Sequence, residues 1–193
     1  MTRPLPSTVV SDLAEIVGHE HVITDPERLL VYESDGLTAY RRPPRAVVLP
    51  SSTEEISAVV ELLHSNSIEV IPRGAGTGLS GGALTTPEGV IVGTARMNRI
   101  LKIDVENRLA IAQPGVINAR LTEATNPYGL YYAPDPSSQS TCTLGGNVAE
   151  NSGGPHCLKY GVTARYVTGL TVAVSYTHLR AHETSLHLVC RLL

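Results

Sequence analysis

The residues with the clearest chemical meaning lie between Ile71 and Gly82, which read I-P-R-G-A-G-T-G-L-S-G-G. Five of the ten residues from Arg73 onward are glycine, and the stretch follows the apolar run Glu69 to Ile71, which reads as the end of a strand. Without a Cβ, glycine permits positive φ, so successive backbone N–H groups can turn toward one point and form a concavity suited to phosphate oxygens. Gly76, Gly78 and Gly81 formally satisfy the dinucleotide pattern G-x-G-x-x-G. That pattern has its usual meaning only when a helix follows directly. Here A-L-T-T-P-E-G-V-I-V follows, with Pro87 and Gly89 breaking the chain and Val90 to Val92 opening another strand. There is no room for a helix whose N-terminus would hold a pyrophosphate. A Walker-type loop is excluded as well, because no Lys-Ser or Lys-Thr pair closes the stretch. A glycine-rich connection without a ligand is the bland alternative.

A second cluster weakens that alternative. Ser140 to Gly161 reads S-T-C-T-L-G-G-N-V-A-E-N-S-G-G-P-H-C-L-K-Y-G, so ten of the seventeen glycines fall in two segments. Two such loops suit a long ligand with two ends. Between them lies Y-G-L-Y-Y-A-P-D-P-S-S, Tyr128 to Ser138, a turn-rich segment with two prolines that reads as a rigid crossing near the ligand or as an ordinary surface loop. Asn147, Asn151 and Ser152 place short polar side chains beside glycines, suited either to ring carbonyls and nitrogens or to capping turns.

P-R-G-A-G-T-G-L-S-G-G, A-P-D-P-S-S and C-T-L-G-G-N-V-A-E-N-S-G-G-P-H-C-L-K-Y-G together resemble the FAD-linked subunit of glycolate oxidase and its D-lactate dehydrogenase relatives. These belong to the flavoenzyme group of vanillyl-alcohol oxidase and p-cresol methylhydroxylase, and the resemblance runs roughly from Leu29 to Ala173. It implies an α/β (α+β) fold: a PCMH-type FAD-binding domain of two α/β subdomains with the flavin between them. By the same resemblance Arg73, Gly74, Ala75, Gly76, Thr77, Gly78, Leu79 and Ser80 wrap the pyrophosphate with backbone amides. Thr143, Gly145, Gly146 and Asn147 pass close to the ribityl chain and flavin ring; Gly153 and Gly154 continue that wall, and Pro134, Asp135 and Asn151 lie near the cofactor. Several relatives attach flavin through a histidine in the first loop, which is absent here, so the expected FAD is non-covalent. Cys142 reads as a small buried thiol rather than a cysteinyl link, and His156 and Lys159 read as structural or rim residues.

The elements that must position these loops can be read from pattern. Val9, Val10, Leu13, Ile16 and Val17 recur at helical spacing, with Ser7 as the expected N-cap and Gly18 as the stop. Thr24 to Arg28 opens a second short helix, while Tyr32 to Tyr40 lacks a clear period. Ala46 to Leu49 is a short strand, and Ser52 with Glu55 forms a capping box for a helix carrying Ile56, Val59, Val60 and Leu63 on one face. With Glu69 to Ile71 this makes a βαβ unit, which puts the first glycine loop at the carboxyl end of a strand, where α/β sheets bind ligands. Val90 to Gly93 and Leu109 to Gln113 read as further strands, and Val116 to Ala124 as a helix.

Length and composition set the outer limits. The 193 residues, 42% hydrophobic, can bury a sizeable core. A net charge of −3 gives no reason to expect nucleic acid, and no apolar run reaches the length of a membrane span. Three cysteines, Cys142, Cys157 and Cys190, are too few for a disulfide framework and fit a reducing compartment, so a cytoplasmic location is expected. Val174 to Thr184 and Leu188 to Leu193 resemble a translated sequencing adapter, which would end native sequence near Ala173. His178 and His182, spaced like a metal pair, fall in that tail, so no metal site is expected. The resulting division is a helical lead-in over 1–44, an incomplete FAD-binding domain over 45–173 and a non-native tail over 174–193, with an unpaired sheet edge where the domain is cut.

The resemblance implies that the intact parent is an FAD-dependent 2-hydroxy-acid dehydrogenase or oxidase. It would act on a small 2-hydroxy acid such as glycolate or D-lactate and pass electrons to a quinone, cytochrome or partner subunit. With the substrate domain missing, the fragment alone is expected to have no turnover and no catalytic residue of its own. A nucleotide-binding module without redox activity is the alternative from a different class.

Overall fold

The computed structural model describes residues 4–173 and 188–193. Most of the expected tail, with His178 and His182, therefore lies outside the described residues. The chain divides into two compact units, the first running to Arg96 and the second from Met97 through Thr171 together with the C-terminal residues.

In the first unit, α1 (Ser7–Val17) buries Val9, Leu13, Ala14 and Val17 along one stripe, and Gly18 ends it at φ 93°. The expected N-cap is displaced: Pro6 occupies that position without a side-chain cap, and Ser7 is already helical. After β1 (Val22–Ile23), α2 (Pro26–Leu29) starts later than expected because Pro26 suits the first helical position and Asp25 caps it, accepting from the Glu27 amide at 3.0 Å. Next come β2 (Ala46–Val48) and α3 (Thr53–Ser65). Ser52 Oγ accepts the Glu55 amide at 3.2 Å, but the Glu55 carboxylate reaches back to Ser51 rather than to Ser52, accepting from its amide at 2.7 Å and its hydroxyl at 2.8 Å. β3 (Val70–Arg73) and β4 (Val90–Gly93) complete a sheet of order β1-β2-β4-β3.

The expected β2–α3–β3 crossover is present, yet its two strands are not neighbours. β4 lies between them and pairs with both in parallel. It can do so because every residue of V-I-V-G is buried, as a central parallel strand covered on both faces requires. Ala46, Val48, Val90 and Val92 pack toward α1 and α3 with Leu13, Val59 and Leu63, while Val47, Ile71 and Ile91 pack with Ile23 and Leu29. The three parallel strands end on one edge, so the glycine-rich loop leaves the sheet at its carboxyl side.

The second unit carries β5 (Ile100–Asp104), β6 (Leu109–Ala112), α4 (Asn118–Thr125), α5 (Leu144–Glu150), α6 (Cys157–Tyr160), β7 (Val167–Gly169) and β8 (Leu188–Arg191). Its sheet is antiparallel throughout, in the order β5-β6-β8-β7. β5 was not expected from the sequence; it is half-exposed and bulged between Ile100 and Lys102, so no two-residue alternation marks it. α5 was hidden by its two glycines. The core gathers Ala110, Ala112, Val116, Leu121, Leu144, Tyr166, Cys190 and Leu192.

The side of β6 away from β5 is occupied by β8. Residues 188–191 pair with β6 and β7, and Tyr131 and Leu193 exchange backbone hydrogen bonds of 2.9 Å in both directions. Among the described residues no helix is long and apolar enough to cross a membrane. No group of three or more His, Cys, Asp or Glu side chains among them could hold a metal.

Two measurements check this architecture. Leu192 is 1% exposed, so Leu192→Ala should lower the unfolding free energy in urea by about 2–5 kcal/mol. The three cysteines are free, with Cys157 exposed and Cys142 and Cys190 buried, and burial pushes the Cys190 thiol up to about 12. A thiol-specific chromophore at mild alkaline pH should therefore label Cys157 rapidly and the other two only after unfolding.

Candidate functional site

Arg73 ends β3, and from Gly74 to Gly89 the backbone forms no helix. The nicotinamide-type reading of G-x-G-x-x-G is thereby excluded on structure as well as on sequence. Gly76 and Gly81 take φ of 69° and 80°, a region that favours glycine. Among the described residues, the amides of residues 74–79 make no backbone hydrogen bond, whereas the Leu84 amide is already given to the Gly81 carbonyl at 3.1 Å. Gly74, Gly76, Thr77 and Gly78 are half-buried, and Ala75, Leu79 and Ser80 are exposed. A run of uncommitted donors that water only partly reaches is a costly arrangement unless an acceptor occupies it. Phosphate oxygens fit that requirement.

The Arg73 side chain does not join this run. Its guanidinium is buried and donates to the carbonyls of Tyr32 (3.4 Å), Ser34 (2.8 Å) and Ala83 (3.3 Å), with Cζ 5.7 Å from the centre of the Tyr32 ring. Burial lowers its pKa, and the charges of Asp35 and Tyr32 offset part of that effect; arginine's high intrinsic value keeps it cationic. A Cβ at Gly76 would collide with the guanidinium. Arg73 therefore contributes structure beneath the loop and leaves the backbone above it free.

The second cluster is built differently. Thr143 caps α5, its hydroxyl accepting the Gly146 amide at 3.3 Å and its carbonyl the Asn147 amide at 2.9 Å. The Leu144 and Gly145 amides go to the Val116 and Pro114 carbonyls, both at 2.8 Å. The four amides from Leu144 to Asn147 are thus committed within the chain. What stays open is a side chain: Asn147 is 2% exposed and its Nδ2 has no hydrogen-bond partner among the described residues. A buried donor of this kind suits a carbonyl or ring nitrogen of a bound group.

The neighbouring predicted residues divide into packing and open positions. A Cβ at Gly145 would come to 2.7 Å from Pro114, and one at Gly154 would collide with the Asp135 backbone. At Gly153 it would reach 3.2 Å from Val162, but at Gly146 it meets only the Thr143 hydroxyl at 3.2 Å. Asn151 takes the capping role, ending α5 at φ 50° while its Oδ1 accepts the Ala164 amide at 3.0 Å. The Asp135 carboxylate is paired with the exposed His156 imidazole, and the Pro134 carbonyl accepts from the buried Asn118 amide group at 3.1 Å. Asn118 escaped sequence reasoning; a polar residue at a position otherwise suited to the apolar side of a helix was the available sign. Cys142 is 3% exposed, as the buried-thiol reading expects.

Comparison with known proteins fits this geometry. Residues 44–176 match the family described as FAD binding domain. The chain is 47% identical over 166 residues to the glycolate oxidase subunit GlcD of Escherichia coli strain K12, covering 86% of this chain and 33% of that protein. It is 41% identical over 157 residues to a D-lactate dehydrogenase of Anaerostipes hadrus, covering 77% and 33%. Among solved structures, an alkyldihydroxyacetonephosphate synthase superposes with a TM-score of 0.85 at 21% identity, covering 100% of this chain and 41% of the other. p-Cresol methylhydroxylase does so with a TM-score of 0.68 at 21% identity, covering 75% and 29%. At those identities the two structures show the shared fold. The chain spans about a third of the length of the curated relatives it matches.

The packing and open glycines are separable by substitution. Gly154→Ala should destabilise the protein by about 1–3 kcal/mol, because the obstacle is backbone that cannot rotate away. Gly146→Ala should be neutral or stabilising by up to about 1 kcal/mol, since it removes a glycine from a helix without a severe clash. Urea unfolding followed by circular dichroism measures both.

Proposed function

Because the chain belongs to the FAD binding domain family, we propose that it is the FAD-binding portion of a flavin-dependent 2-hydroxy-acid dehydrogenase or oxidase. The observation that carries the reading is the run of uncommitted amides over residues 74–79, which has the donors a pyrophosphate needs and no partner for them within the described chain. In this proposal the first loop, from Arg73 to Ser80, receives the pyrophosphate through its backbone. Asn147 offers its buried Nδ2 to an acceptor on the flavin or ribityl chain, and Gly146 leaves space beside it. The Asp135–His156 pair and Gly154 hold the two segments of the second site against each other. The cofactor is held without a covalent link.

The relatives named for glycolate oxidation and D-lactate dehydrogenation support a small 2-hydroxy acid as substrate of the whole protein. FAD bound in such an enzyme supplies two-electron acceptance, taking a hydride equivalent from the carbinol carbon, while the protein orients and shields the reacting groups. The word "subunit" in the name of the Escherichia coli relative supports a partner redox subunit as electron acceptor. Three free thiols support a reducing, cytoplasmic compartment. In this proposal the native part of this chain stops near Ala173, inside an incomplete FAD-binding domain, and the chain by itself turns over no substrate.

Titration of the purified chain with FAD tests the reading. A red-shifted, structured flavin band should appear with the wild-type protein. It should be lost in Gly76→Val, whose loop cannot keep its conformation, and weakened about tenfold or more in a folded Gly146→Val. A free-flavin spectrum from a folded wild-type chain would overturn the proposal.

A further inference from the structure

One feature of the first unit lies outside the two glycine clusters: the lead-in residues 32–37, whose backbone runs directly against the first loop. A Cβ at Gly36 would come to 2.7 Å from the Gly78 carbonyl oxygen and 2.8 Å from that of Thr77. Both carbonyls therefore face Gly36. In a trans peptide the N–H points opposite to the C=O, so the amides of Gly78 and Leu79 point away from residues 32–37, on the side left to a ligand. The same segment is held to the loop by the Arg73 guanidinium, which joins Tyr32 and Ser34 on one side to Ala83 on the other. Asp35, buried at 6% exposure, accepts the Leu37 amide at its Oδ1 at 2.8 Å and supplies negative charge near that guanidinium.

We propose that residues 32–37 form the floor of the dinucleotide site and that Arg73 is the positioning residue that keeps the loop amides facing the phosphate side. This rests on the FAD reading above and extends it to a segment that neither sequence motif includes. The floor fixes the peptide planes from the carbonyl side; the guanidinium locks floor and loop together in a way a point charge cannot, because three carbonyls in different directions need a planar fork of donors. Gly36 is required by the approach of two carbonyls, and Gly76 by the passage of the Arg73 side chain.

The test uses the full 193-residue chain, with FAD affinity read from flavin fluorescence. Arg73→Ala should weaken FAD binding about tenfold or more, the scale expected for loss of charge-assisted hydrogen bonds. Added ethylguanidinium should restore a large part of that loss and ethylammonium should not, and Arg73→Lys should remain impaired. Wild-type-like affinity in Arg73→Ala, or rescue by neither or by both cations, overturns the proposal. If Arg73→Ala does not fold, hydrogen exchange on the wild-type chain decides. Peptides covering 32–37 and 74–84 should gain protection together when FAD is added, and protection of 74–84 alone overturns the positioning role. A folded wild-type chain that shows no FAD signal removes the FAD reading itself, an outcome recognised without any variant.

Discussion

Among the described residues the amides of 74–79 make no backbone hydrogen bond, and a backbone of this kind lacks the bonds that hold a helix or a strand. Something else must fix it. In this chain the fixing comes from the carbonyl side: Arg73 anchors the loop to Tyr32, Ser34 and Ala83, and Gly36 lies against the Thr77 and Gly78 carbonyls. Positive φ at Gly76 and Gly81 allows the turns, and the buried parallel sheet supplies the rigid edge from which the loop starts. Each of these features makes little sense alone. Together they fix a loop whose amides over 74–79 are without backbone partners among the described residues.

The two glycine clusters solve different problems although they look alike in composition. In the first, glycine serves backbone conformation and leaves the amides free. In the second, glycine serves close packing around a short capped helix whose first amides go to Pro114, Val116 and Thr143, and the buried Asn147 Nδ2 is left without a partner among the described residues. Gly145 and Gly154 are fixed by Pro114 and Asp135, whereas Gly146 has no such neighbour apart from the cap.

The second unit closes its core with residues at the very end of the chain. Among the described residues β7 pairs only with β8, and Cys190 and Leu192 lie among the most buried side chains of that core. β8 lies between β6 and β7 and pairs antiparallel with both.

The sequence alone determined the two glycine loops, the family resemblance, α1, α3 and the strands β2, β3 and β4, because strong periodicity and punctuation by Gly and Pro are local properties. It excluded the dinucleotide helix for the same reason: Pro87 and Gly89 forbid it wherever the loop ends up. Tertiary structure decided what local pattern cannot carry. Strand order placed β4 between β2 and β3, since two strands of equal polarity can be separated by a third that is equally apolar. β5 and α5 emerged only from their partners, one being an exposed bulged strand and the other a helix with two glycines in its first turn. Above all, which amides are spent and which are left open depends on carbonyls far away in the chain: Pro114 for Gly145, and Tyr32 and Ser34 for the arginine beneath the first loop. Hydrogen-bond commitment is a property of the folded backbone, and no spacing of residue types records it.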